Sequence, residues 1–65
     1  MKGTIKRVMY DRNFGFINSE GYEKDIFFHR SGVKEEFYNL KEGAEVEFDI
    51  EETERGPQAI NVAII

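Results

Sequence analysis

Residues 44–51 read Ala-Glu-Val-Glu-Phe-Asp-Ile-Glu, with apolar and acidic side chains in strict alternation. Side chains on a β-strand point to opposite faces with period two, so this stretch is a strand with one face in a core and the other in water. Turn-forming clusters recur along the rest of the chain: Asp11-Arg12-Asn13, Ser19-Glu20-Gly21, Ser31-Gly32, Glu42-Gly43 and Arg55-Gly56-Pro57. Short runs rich in Ile, Val, Phe and Tyr lie between them. Several short strands at this spacing predict an all-β sandwich or barrel. A 65-residue chain is one small domain, residues 1–65, and buries only about 60% of its unfolded surface. A small barrel removes the strand edges that so short a chain could hardly cover. The last strand is expected from Gln58 to Ile65, with Ile60, Val62 and Ile64 on the core face. Residues 30–40 break the alternation and predict a helical turn or an ordered loop.

Composition excludes several classes of function. Without cysteine there are no disulfides and no thiolate zinc sites. A single histidine builds no His-rich metal site, and no ligand-spaced carboxylate loop is visible. Neither a metal nor any other cofactor is therefore expected. No stretch approaches the roughly 20 apolar residues of a membrane span. The N-terminus MKGTIKRV lacks the apolar run of a signal peptide, so a cytoplasmic protein is the default reading. The net charge of -4 taken alone argues against nucleic acid, but its distribution is uneven. Residues 1–34 hold seven Lys/Arg and four Asp/Glu, whereas residues 35–65 hold two and nine. Such polarity lets one face attract phosphate while the other, by default a solvated acidic face, repels it.

Residues 13–30 read NFGFINSEGYEKDIFFHR. By strand parity Phe14, Phe16 and Asn18 share one face, and Gly15 and Ile17 the other. In the next strand Asp25, Phe27 and His29 share one face, and Ile26 and Phe28 the other. A face carrying Asp and His is a poor core for so small a protein, so Ile17, Ile26 and Phe28 are placed inside. If the two strands pair as a hairpin across residues 19–24, then Phe14, Phe16, Phe27 and His29 form one outward patch. Exposing three Phe side chains forgoes on the order of 1.5–3 kcal/mol of burial each. An apolar patch left outside at that cost marks an interaction site. The opposite reading, with the rings inward, has to bury Asp25 and His29 beside them.

Flat rings on a sheet with cations around them suit unstacked bases: each base offers a π-face, and nearby positive charge tracks the backbone. Lys2, Lys6, Arg7, Arg12, Lys24, Arg30 and Lys34 all lie in the half of the chain that carries the rings. Duplexes, whose bases are already stacked and paired, should bind poorly, and sequence preference should be weak. An acid–base dyad of Asp25 and His29 is not supported, since four residues apart on one strand they stand beyond hydrogen-bond reach. No enzyme activity and no small-molecule substrate are expected.

These residues carry a resemblance. RNFGFI at 12–17 is similar to the first ribonucleoprotein motif, and DIFFH at 25–29 resembles the second; their order and spacing resemble the cold-shock domain family. The likeness continues through Gly3-Thr4-Ile5-Lys6, Ser31-Gly32-Val33, Phe37 three before Leu40, Glu42-Gly43, Val46, Phe48, Arg55-Gly56-Pro57-Gln58-Ala59 and Asn61-Val62. It spans essentially the whole chain. The resemblance implies a five-stranded antiparallel OB-type barrel, acting as a monomer on single-stranded RNA or DNA, as an RNA chaperone or regulator of translation or transcription. It also implies that Lys6, Phe14, Phe16, Phe27, His29 and Phe37 face the nucleic acid. The alternative for Phe37 is a loop anchor packed into the core.

Three departures from the family pattern stand out. Arg7 occupies the place of a stacking tryptophan, Arg30 that of a phenylalanine, and Asn13 that of a glycine. A guanidinium stacks on a base and also meets phosphate, so Arg7, Arg12 and Arg30 join the expected interface. Asn13 tolerates a left-handed turn better than most residues. Ile5, Arg7 and Met9 cannot all share one face, and a bulge is expected in the first strand. Gly15 is expected where the barrel wall packs closely. Tyr10 and Tyr22 could add rings, but parity does not place them. Two rival functions remain: a protein-interaction module using the same patch, and an OB domain on structured ribosomal RNA.

Overall fold

The alternation and the turns predicted above become five strands: β1 (Lys2–Met9), β2 (Phe14–Asn18), β3 (Ile26–His29), β4 (Glu45–Thr53) and β5 (Gly56–Ile64). The computed structural model describes all of residues 1–65. The segment that broke the alternation holds two 3₁₀ turns, Arg30–Gly32 and Phe37–Asn39. The strands close into a barrel in the order β1-β2-β3-β5-β4, and β4 returns to β1.

The pairing is antiparallel except between β3 and β5, which run parallel. This corrects the expectation of a purely antiparallel barrel, and the reason is arithmetic. Around a closed ring of five strands directions cannot alternate throughout, because five is odd. Since β4 runs against β1, and β5 against β4, β5 must run with β3.

The core comprises Ile5, Ile17, Ile26, Phe28, Phe37, Leu40, Val46, Phe48, Ala59 and Val62, all buried. On β2, β3 and β4 these are the positions that parity assigns inward. Two bulges interrupt the rule. In β1, Ile5 pairs with Ile17 and Arg7 with Phe16, so Lys6 is the extra residue. Ile5 stays in the core while Lys6 and Arg7 both emerge on the outside. In β5, Asn61 adopts a left-handed φ of 54°, and the register against β4 shifts between Glu47 and Asp49. The extra residue moves the inward positions to Ala59 and Val62. Ile60 is only half-buried and Ile64 is 38% exposed. The expected core face of Ile60, Val62 and Ile64 is therefore right only at Val62.

Gly15 sits where β2 crosses closest to its neighbours. A Cβ there would lie 2.5 Å from the Arg7 carbonyl oxygen and 2.7 Å from the Phe28 ring. Asn13, with φ 61°, makes the left-handed turn into β2. No helix is long and apolar enough to cross a membrane.

Candidate nucleic-acid interface

The hairpin β2–β3 pairs Phe14 with His29 and Phe16 with Phe27, which joins the outer faces of the two strands. The three phenyl rings form one cluster. Phe14 and Phe27 stack at 5.6 Å between centroids with 28° between planes. Phe16 stands nearly perpendicular to both, at 5.8 Å from Phe14 and 6.2 Å from Phe27. All three are half-buried, sheltered by one another on the outside of the wall, while Ile17, Ile26 and Phe28 fill the inside. Mutual packing of this kind recovers part of the burial that outward placement forgoes.

His29 is exposed at the end of β3 and caps the first 3₁₀ turn. Its Nδ1 accepts from the Ser31 amide at 3.1 Å and lies 3.0 Å from the Ser31 hydroxyl. The neutral ring therefore carries its proton on Nε2, which is left as a donor. Lys6, Arg7, Arg12 and Arg30 are all exposed. Lys6 Nζ meets Asp25 Oδ2 at 3.3 Å. Arg7 lies across the strand pair from Phe16.

Phe37 is not on this surface. It is 1% exposed and belongs to the core, which corrects its assignment to the interface. The geometry of a 3₁₀ turn explains this. With three residues per turn, Phe37 and Leu40 fall on the same side, and both are buried. Tyr38 falls on the other side and is 52% exposed. Tyr10, 38% exposed, stacks on Tyr38 at 5.8 Å with 24° between planes, and its hydroxyl donates to the Leu40 carbonyl. The Arg30 guanidinium carbon lies 5.3 Å from the centroid of the Tyr38 ring. Arg30 follows His29 directly, so Tyr38 and Tyr10 prolong the aromatic surface past the hairpin. Tyr38 was missed, although the spacing of Phe37 and Leu40 is a signal for it. Tyr22, the other tyrosine that parity left unplaced, packs half-buried against the core.

Two recesses flank the rings. One lies between Phe27 and the β4–β5 turn and is lined by Thr53, Glu54, Arg55, Pro57 and Gln58. Sequence reasoning took Arg55-Gly56-Pro57 as a turn; the turn itself is Glu54-Arg55, and Gly56 and Pro57 already belong to β5. Parallel pairing of β3 with β5, which the sequence did not reveal, brings this corner beside Phe27. The other recess is lined by Lys6, Arg7, Phe16, Asp25 and Glu42. The acidic residues Glu45, Glu47, Asp49 and Glu51 line the outside of β4, the one strand that pairs with neither β2 nor β3. Strand order therefore sets the acidic wall across the barrel from the rings.

Comparison with known proteins agrees with this architecture. The family model described as 'Cold-shock' DNA-binding domain matches residues 1–65. The chain is 50% identical over 64 residues to a cold shock-like protein CspB of Bacillus cereus, covering 97% of each chain. It is 48% identical over 62 residues to a cold shock protein CspA of Staphylococcus saprophyticus, covering 94% of this chain and 92% of the relative. Among solved structures it is similar to drosophila Unr CSD456, with a TM-score of 0.82 and 28% identity. That match takes in 98% of this chain and 26% of the other, so the chain spans about a quarter of that larger protein. With five strands closed in OB fashion, both motifs on one hairpin and relatives matched over nearly their full length, the chain belongs to the cold-shock domain family of nucleic-acid-binding proteins.

Proposed function

We propose that the chain is a non-enzymatic binder of single-stranded RNA and DNA, whose bases stack on Phe14, Phe16 and Phe27. His29 donates to base edges, and Lys6, Arg7, Arg12 and Arg30 follow the phosphates. The observation that carries this reading is the three-ring cluster held on the outer face of β2–β3, with exposed cations at its borders and the acidic strand on the far side. Each base–ring stack contributes roughly 1–3 kcal/mol and discriminates little among bases. Tyr38 takes the peripheral position first assigned to Phe37.

Binding to the open strand alone shifts RNA away from hairpins by mass action, the physical content of an RNA-chaperone role. The protein acts in this role as a single-domain monomer in the cytoplasm, on translation or transcription.

The test is a titration with an oligopyrimidine and with a duplex of equal length, at two salt concentrations, read by tyrosine emission and by resonance shifts at the rings. Single strands are expected to bind and duplexes to bind poorly, with affinity falling as salt rises. No response to a single strand at low salt would transfer the patch to a protein partner. Preference for a folded RNA would point to structured ribosomal RNA.

A further inference from the structure

We propose that the recess beside Phe16 is a guanine-selective subsite, read by Arg7 and Asp25; the inference rests on the single-strand reading above. The β1 bulge turns Lys6 and Arg7 outward together, and Arg7 pairs across the sheet with Phe16. With Asp25 and Glu42 they enclose a recess whose one apolar wall is that phenyl ring. Phe16 is perpendicular to both ring neighbours and stacked on neither.

A recess serving phosphate alone would hold cations and exclude carboxylates, because carboxylates repel the backbone. This one holds two of each sign. A base lying against Phe16 meets a guanidinium fork, which only donates, and a carboxylate, which only accepts. Lys6 engages Asp25 at one oxygen, and the pair is surface-exposed at 61% for the lysine and 31% for the aspartate side chain. A carboxylate offers about four acceptor sites, and an exposed ion pair of this kind exchanges readily.

Guanine is the base whose edges match. Its O6 and N7 are adjacent acceptors for a bidentate guanidinium, and its N1–H and N2–H₂ are adjacent donors for a bidentate carboxylate. Adenine and uracil alternate donor and acceptor along their edges, and cytosine, whose N3 and O2 are adjacent acceptors, has no pair of adjacent donor groups, so each leaves at least part of the fork or the carboxylate unmatched. In a single strand both edges are free. Arg7 standing where the family carries a stacking tryptophan thus exchanges an indiscriminate platform for a reader of base identity.

The test compares heptauridine with seven heptamers that each carry one guanosine, placed at successive positions. One internal position is expected to raise affinity about tenfold, in line with a single good bidentate contact. Inosine there, lacking the 2-amino group, should retain only part of the gain. Arg7→Lys keeps the charge and loses the fork, so the guanosine gain should fall to about twofold or less while the salt dependence of binding persists. Asp25→Asn should lower the gain as well. The inference is overturned if heptauridine binds but no guanosine position improves on it by more than about twofold, or if the gain survives both substitutions. Failure of every oligomer to bind would remove the single-strand reading itself, and this subsite with it.

Discussion

Phe27 and Phe28 are adjacent in sequence and opposite in environment, so the same truncation at each should produce opposite phenotypes. Phe28 is fully buried and packs against Phe37 at 6.3 Å between ring centroids. Truncating a core Phe to Ala costs about 3–5 kcal/mol. At roughly 0.05–0.15 kcal/mol per residue, a chain of this length holds only about 3–10 kcal/mol in all. Phe28→Ala should thus remove most of the stability, with a fall in Tm of about 12 °C or more or no cooperative transition. Phe27 is half-buried and contacts Phe14 and Phe16 on the outer face. Losing those ring contacts should cost about 1–2 kcal/mol, or roughly 4–16 °C. Its larger effect should fall on binding. One lost stack of about 1–3 kcal/mol weakens an oligopyrimidine about 5- to 150-fold. The assay pairs thermal unfolding by circular dichroism with titration well below each variant's Tm. A Phe27→Ala protein that unfolds as far as Phe28→Ala would place its ring in the core. One that folds and binds like the parent would remove stacking at Phe27 from the mechanism.

The second 3₁₀ turn offers the same contrast one step apart: Phe37→Ala should destabilise by about 3–5 kcal/mol, whereas Tyr38→Ala should leave Tm within a few degrees and weaken binding. Denaturant unfolding and oligonucleotide titration of the two variants check this. Gly15→Ala should cost about 1–3 kcal/mol in chemical denaturation, because the new methyl group meets backbone at the Arg7 carbonyl and cannot be absorbed by a rotamer change. Along β4, alternate carboxylates from Glu45 to Glu51 stand about 7 Å apart, within a Debye length at physiological salt. Tm should therefore rise by a few degrees between very low salt and about 0.5 M sodium chloride, while single-strand affinity falls over the same range; a Tm that falls with salt would mean attractive pairs dominate that face.

Strand parity was sufficient for most of the core and for the ring cluster because β2, β3 and β4 keep an unbroken two-residue period wherever it decides which side chain is inside. It failed where an extra residue resets the phase. The β1 bulge was inferable, since Ile5 and Arg7 demand opposite faces. The β5 bulge was not, since Ala59, Ile60, Val62 and Ile64 are all apolar and nothing in their order marks Asn61 as the residue to be stepped over. Phe37 was misplaced for a different reason. The period around it is three rather than two, and the reading followed family resemblance instead of the Phe37–Leu40 spacing. The recess beside Phe27 was invisible because it depends on β3 lying next to β5, a long-range pairing that no local pattern encodes. The parallel sense of that pairing, by contrast, follows from the count of strands once the barrel is known to close.

Core and candidate interface are set by one and the same register. Turning Phe14, Phe16 and Phe27 inward would take a one-residue slip of β2 and β3, and that slip would carry Ile17, Ile26 and Phe28 into water. It would also put a Phe side chain where Gly15 now admits only a hydrogen against the Arg7 carbonyl and the Phe28 ring. Burial alone does not decide, since the three rings turned inward would recover about what the displaced groups lose, roughly 1.5–3 kcal/mol each. What the slipped state cannot recover is the overlap at Gly15 and the cost of taking Asp25 and His29 inward with Phe27. The outward rings are thus not a loose decoration that the fold could retract when no ligand is present. They are held out by what lies directly behind them, and a nucleic acid that stacks there meets a surface already in place, with little ordering cost left at the moment of binding.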